Sequence, residues 1–246
     1  MSTHQLAITT SVLVPMSEVI QRSVNSHTSI VAQDNEVLFR RNTTDDNLGV
    51  TGSLQWLYEH TTAPVIAFLH SDCEIFEPGW DARVLREFDD PKVGVVGFGG
   101  AKGHGEDDIY KTPYRLIQLR RLDYLSNTAD AESHGERFEG SREVSVLDGF
   151  ALVVRRSLLD RAGGWPVAQL PFHCYDYWAC IMAHKLGHSV RLVGIDCQHY
   201  SGQTANLPAY QEWSVKHLGK TDAQVHEESH RVIYEMGRGV LPWRCK

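Results

Sequence analysis

No apolar run in this chain approaches the roughly 20 residues needed to span a bilayer. Met1-Ser2-Thr3-His4-Gln5-Leu6 also lacks the charged and apolar regions of a secretory signal, so the sequence predicts a cytoplasmic protein without a transmembrane segment. Paired cysteines are missing too. Cys73, Cys174, Cys180, Cys197 and Cys245 are odd in number and show no Cys-x-x-Cys spacing, which fits reduced thiols better than a disulfide frame and argues against a structural zinc site. Positive charge is scarce: 24 Lys and Arg face 31 Asp and Glu, for a net charge of −7. Phosphate backbones are held by cations that displace counterions, so coating nucleic acid is not the main task of this chain. A local basic groove is still compatible with that balance. Lys111, Arg115, Arg120 and Arg121 gather around Tyr110, Tyr114 and Tyr124, as an anionic or aromatic partner would require, or as an exposed helix face with aromatics turned inward. Internal repeats and low-complexity segments are absent.

What is present suits an α/β protein. With 246 residues, 42% hydrophobic composition and six tryptophans, the chain can build one large domain, or one domain with an appended subdomain. Strands are expected at Ser11–Pro15, Ser29–Ala32, Glu36–Arg40, Val65–Leu69, Val93–Phe98, Val144–Phe150, Ala151–Val154 and Ser189–Val193. Between them, helices are expected at Glu18–Ser26, Gly52–His60, Trp80–Phe88, Ser157–Ala162 and Tyr175–Leu186, with two more at Tyr210–Leu218 and Asp222–Met236. The alternation implies a mostly parallel sheet flanked by helices. Gly99 to Arg142 is polar and glycine-rich and reads as long loops, with one amphipathic piece at Pro113–Tyr124. Cys197–Gly202 reads as a loop.

The apolar run Val65-Ile66-Ala67-Phe68-Leu69 leads straight into His70-Ser71-Asp72-Cys73-Glu74. A five-residue run of this kind is a buried strand, and open parallel sheets bind ligands where such strands leave the sheet. A carboxylate beside an imidazole there suits a divalent metal, although a turn or helix-capping aspartate looks the same in isolation. Asp176, at the mouth of a predicted helix, reads as a cap or as a catalytic carboxylate. His199 alone reads as a hydrogen-bonder or a ligand. Trp165 and Trp178 read either as platforms for a sugar ring or as buried anchors.

In combination these segments are more specific. The upstream Asn47-Leu48-Gly49, the strand running into His70-Ser71-Asp72, Val146-Leu147-Asp148-Gly149-Phe150, Phe172-His173-Cys174-Tyr175-Asp176 and His199-Tyr200-Ser201-Gly202 resemble, in order and rough spacing, family 2 glycosyltransferases with the GT-A fold. The resemblance is clearest over 47–99 and 144–202. It implies a transferase domain over 1–204, comprising a nucleotide-sugar-binding half (1–99), a loop region (100–143) and an acceptor-binding half (144–204), followed by a helical extension over 205–246.

What the resemblance implies for the site can be carried over residue by residue. Asp72 stands as the surviving metal ligand of an Asp-x-Asp element whose first aspartate is replaced by His70, which would contact ribose or phosphate. His199 resembles the C-terminal histidine that completes the metal or diphosphate site. With imidazole in the set, Mn²⁺ is favoured over Mg²⁺. Glu74 either supplies a further oxygen or faces solvent. Asp34 resembles the acidic residue that reads uracil, Asn47 belongs to the donor-binding set, and Asp148 and Gly149 form the floor of the acceptor pocket. Asp176 falls where the family carries its general base. The resemblance thus implies a metal-dependent inverting transfer of a hexosyl or related sugar from a nucleotide-diphosphate donor, UDP-sugar favoured. The acceptor is a hydroxyl of a glycan, a protein or a modified base in DNA. The alternative is a catalytically silent GT-A-like module that binds nucleotide sugars without turnover. A nucleotidyltransferase would need a glycine-rich phosphate loop after the first strand, and Pro15-Met16-Ser17-Glu18 offers none.

Overall fold

The computed structural model describes residues 4–104, 121–129, 135–200, 208–240 and 245. A seven-stranded sheet runs through it in the order β2-β1-β3-β11-β5-β12-β9. Its strands are β1 (Leu6–Leu13), β2 (Glu36–Asn42), β3 (Val65–His70), β5 (Val93–Gly97), β9 (Ser141–Glu143), β11 (Ala151–Arg155) and β12 (Ser189–Val193). β1 pairs in parallel with β2 and β3, and β12 with β5, while β11 and β9 run the other way. Five of the seven strands therefore share one direction, in keeping with the mostly parallel sheet expected.

The β3 run is apolar throughout because both faces are covered. Ile66 and Phe68 join one core, with Leu54 and Leu57 of α2 (Gly49–Glu59), Leu158 and Leu159 of α4 (Arg156–Ala162) and Tyr177 and Ile181 of α5 (Tyr175–Lys185). Val65, Ala67 and Leu69 point to the opposite core, with Trp80 and Val84 of α3 (Trp80–Glu87). Each fully buried Leu, Ile or Phe adds roughly 1.5–3 kcal/mol. Trp165 and Trp178 belong to the first core, 5% and 4% exposed, which settles them as anchors of the sheet.

Several elements differ from the sequence expectation, each for a physical reason. The Ser29–Ala32 strand does not form: α1 (Glu18–Ser29) runs longer, and the N–H groups of Ala32 and Gln33 are taken by the fully buried carboxylate of Asp81 at 2.8 and 3.0 Å. Gly99–Arg142 is not loop throughout. β6 (Gly99–His104), β7 (Arg121–Ser126), β8 (Glu136–Arg137) and β10 (Val146–Leu147) make a second sheet in the order β10-β6-β7-β8. The glycines there serve close approach: a Cβ at Gly99 would lie 2.3 Å from the Tyr124 hydroxyl. The amphipathic helix expected to reach Tyr124 gives way to strand from Arg121, and residues 105–120, with most of the basic cluster, lie outside the described residues. β13 (Cys197–His199), expected as loop, pairs antiparallel with β4 (Cys73–Ile75). α6 (Pro208–Leu218) and α7 (Asp222–Gly237) follow, the latter opened by a capping box of Thr221 and Gln224. The 204/205 boundary lies in 201–207, outside the described residues. Among the described residues no helix is long and apolar enough to cross a membrane.

Candidate functional site

Sheet direction explains why distant segments meet. β3 ends at His70, and because β11 runs antiparallel to it, with Ala151 opposite Leu69, the turn that enters β11 lies at the same edge. That turn is Asp148-Gly149-Phe150, and the His70 N–H donates to the Phe150 carbonyl at 2.9 Å. The β4–β13 ladder sets His199 opposite Cys73, one residue from Asp72, and the Tyr200 N–H donates to the Asp72 carbonyl at 3.0 Å. The start of α5 brings Tyr175 and Asp176. His70, Asp72, Asp148, Gly149, Tyr175, Asp176 and His199 line one cavity of about 760 Å³, within the usual range of roughly 300–1,000 Å³ for small-molecule sites.

At the centre, His70 Nδ1 and His199 Nε2 each lie 3.6 Å from Asp72 Oδ1. Those separations are long for hydrogen bonds and close to that of two ligands held about 2.1 Å from a shared ion. One ligand atom from each of the three residues lies within 4.8 Å of the others. Burial works to raise the Asp72 carboxyl pKa, but His199 and His70 outweigh it and hold it well below the ordinary carboxylate range. Asp72 is therefore an anion with two imidazoles facing it. Two nitrogens and a carboxylate oxygen are a donor set that divalent transition ions accept, so the residues present fit a metal. His199 is fixed by stacking on Phe150, with centroids 4.7 Å apart.

Glu74 does not face solvent and does not join this set. It is 7% exposed, accepts from Arg22 Nε at 2.8 and 2.9 Å through its two oxygens, and accepts from the Tyr200 hydroxyl at 2.7 Å.

Asp176 is 9% exposed and held by two backbone donors: Gly149 N–H reaches Oδ2 at 3.1 Å and Tyr177 N–H reaches Oδ1 at 2.9 Å. Its neighbour Cys174 has φ 63°, a left-handed conformation costing a non-glycine residue roughly 1–2 kcal/mol, and this bend turns the chain into α5. Such strain is found where a site needs one particular backbone path. Asp148 accepts from the Tyr124 hydroxyl at 3.2 Å. Burial pushes the Tyr175 phenol well above its ordinary pKa, with nearby carboxylates adding to the shift, so it stays protonated.

Asp34 is not brought to this cavity. Its side chain is 97% exposed, in the segment whose strand did not form, and its carbonyl accepts from His4 Nδ1. Asn47 does line the cavity; its Oδ1 accepts from Gly49 N–H at 2.9 Å and its carbonyl from Trp213 Nε1 at 3.0 Å.

The sequence reading missed one wall. Phe172 stacks on Tyr210 with centroids 3.9 Å apart, and Trp213 follows on α6, so this C-terminal helix contributes to the same cavity. Asp222 of α7 accepts from His173 Nε2 at 2.6 Å and from the Tyr210 hydroxyl at 2.7 Å. Burial lowers the His173 pKa despite that carboxylate. The signal was available: Tyr210 and Trp213 stand three apart on an expected helix, one aromatic face.

Comparisons with known proteins bear on the family and the fold. A family model described as glycosyl transferase family 2 matches residues 22–162, more than half of the chain. Among curated proteins, none matches the sequence. Among solved structures, a mannosyltransferase from Pyrobaculum calidifontis in complex with GDP-Man and Mn²⁺ superposes with a TM-score of 0.54 at 12% identity, over 96% of this chain and 73% of that one. The structure of GalNAc-T7 with UDP, GalNAc and Mn²⁺ gives 0.56 at 11% identity, over 86% of this chain but only 48% of that one. At these identities the likeness shows the fold, which is GT-A.

Proposed function

Because the chain belongs to glycosyl transferase family 2 and is a glycosyltransferase, we propose that it moves a sugar from a nucleotide-diphosphate donor to a hydroxyl acceptor with inversion. His70, Asp72 and His199 hold a divalent ion, and Asp176 is the general base. The observation that carries this reading is that three potential ligand atoms within 4.8 Å and a buried carboxylate line the same cavity.

A bound divalent ion would neutralise the charge that grows on the departing diphosphate. The chain's own residues do the rest. Asp176, oriented by the N–H groups of Gly149 and Tyr177 and lining the cavity, takes the acceptor's proton as its oxygen attacks the anomeric carbon. One base suffices for a single displacement, so no second carboxylate nucleophile is required. Gly149 lets backbone approach the sugar, and Asp148 and Asn47 offer polar contacts along the floor. Two imidazole ligands favour Mn²⁺ over Mg²⁺, which prefers oxygen and retains its waters. A UDP-sugar is the first donor to try, because GalNAc-T7 was solved with UDP; the GDP-Man of the Pyrobaculum calidifontis mannosyltransferase is its competitor. The acceptor is a hydroxyl of a glycan, a protein or a modified base.

Two variants test the assignment. Asp176→Asn keeps donor binding and loses transfer by two orders of magnitude or more, on the order of what general bases contribute. Asp72→Ala loses the metal-dependent part of UDP affinity, measured by calorimetry with and without Mn²⁺. Full transfer by the first variant removes Asp176 from the chemistry, and unchanged binding by the second removes Asp72 from the metal site.

A further inference from the structure

His70 stands where the Asp-x-Asp element would have a carboxylate, and an imidazole has a requirement that a carboxylate lacks. Only one of its nitrogens can face an ion, and that nitrogen must be unprotonated. Here Nδ1 faces Asp72 Oδ1, and Nε2 points away, into a hydrogen bond with the Tyr175 hydroxyl. Tyr175 is 7% exposed and its hydroxyl in turn donates to the Gly149 carbonyl at 3.3 Å. Glycine is needed at 149 for this contact, since a Cβ there would lie 2.6 Å from the phenol oxygen.

We propose that Tyr175 is a positioning residue that fixes His70 in the Nε2–H tautomer, leaving Nδ1 as the ligand atom, and ties this ligand to the general base through Gly149. The inference rests on the metal-dependent reading of the site. With an ion at Nδ1, its proton count closes in one direction only. With Nε2–H donating to the phenol oxygen, the single phenol proton is free for the Gly149 carbonyl and every partner is satisfied. In the other tautomer, Nε2 and the Gly149 carbonyl would compete for that one proton, and Nδ1 would carry a proton where the ion must sit. Gly149 then serves both sides of the site: its carbonyl receives Tyr175, and its N–H holds Asp176 Oδ2. Since Tyr175 and Asp176 are consecutive at the start of α5, the metal ligand and the base are set by one turn of chain. An Asp-x-Asp carboxylate would need no such support, because either oxygen can bind.

The test is Tyr175→Phe, which keeps the ring and removes the hydroxyl. Partners that orient a metal-bound histidine typically contribute 10- to 100-fold in metal affinity, and a loss of that size in Mn²⁺ affinity by calorimetry is expected. In a His70→Ala background the same change should have no further effect. Independently, long-range ¹H–¹⁵N correlation spectra of the wild-type protein loaded with a diamagnetic divalent ion should show His70 as the Nε2–H tautomer, a result that does not depend on any variant folding. Equal Mn²⁺ affinity in Tyr175→Phe, or an Nδ1–H tautomer in the wild type, overturns the proposal. Asp72→Ala separates the two levels: if it too binds Mn²⁺ as wild type does, the metal reading itself has failed. If Asp72→Ala loses the ion and Tyr175→Phe does not, only the role of Tyr175 has failed.

Discussion

His27 shows how a residue outside the cavity supports one within it. It is fully buried, its Nε2 donates to the Cys73 carbonyl at 2.7 Å, and its Nδ1 accepts from the Thr10 hydroxyl at 3.0 Å, so it fastens the chain one residue past Asp72. Burial pulls its pKa down from 6.5 to about 4, against the opposing hydrogen bond to Cys73. A histidine depressed in the folded state contributes stability that is present above its unfolded pKa and lost as pH falls from 6.5 towards 4. Between pH 7 and pH 5 that loss is about 2 kcal/mol. Urea unfolding of wild type and His27→Gln at both pH values measures it: the wild type's advantage should shrink by about that amount on acidification. Parallel pH dependence in the two proteins would show that His27 does not titrate this way.

At the scale of elements, the site depends on short pairings and on one helix packing against another. Gly49 opens α2 with φ 68°, and a Cβ there would lie 2.5 Å from Cη2 of Trp213 on α6. Gly49→Ala therefore costs roughly 1 kcal/mol or more for the left-handed backbone, plus the displacement of the indole. Combining it with Trp213→Ala should be less than additive in urea unfolding, because the clash is gone; strict additivity would mean that the indole had already moved aside. Elements with a strong local period were legible in the sequence: the Val65 strand and the helices beginning near Glu18, Trp80, Tyr175 and Asp222 all formed. β13 was not, because three residues are too few to display alternation and its partner β4 lies more than a hundred residues away. β6 was hidden by glycines whose value lies in tertiary contact, and Ser29–Ala32 looked like a strand because Ile30 and Val31 are apolar, while Asp81 claims the backbone beside them.

For the molecule as a whole, the order of motifs carried the fold and most of the candidate site. Asp72, His70, His199, Asp148, Gly149 and Asp176 come to one cavity although they span more than half of the chain, because β11 reverses direction and returns its entry turn to the end of β3. Asp34 does not reach that cavity, so no side chain for reading the base can be taken from it. The link from His70 through Tyr175 to Gly149 was out of reach of sequence alone, since it joins segments with no shared pattern, while the spacing of Tyr210 and Trp213 showed an aromatic face on α6 but not the cavity it walls. The central claim is that His70, Asp72 and His199 hold the ion that grips the donor diphosphate beside Asp176. Anomalous diffraction at the manganese edge, on crystals soaked with Mn²⁺ and UDP, tests it most directly. The account predicts one strong peak touching His70 Nδ1, Asp72 Oδ1, His199 Nε2 and the diphosphate; ordered UDP with no manganese at those three atoms would contradict it.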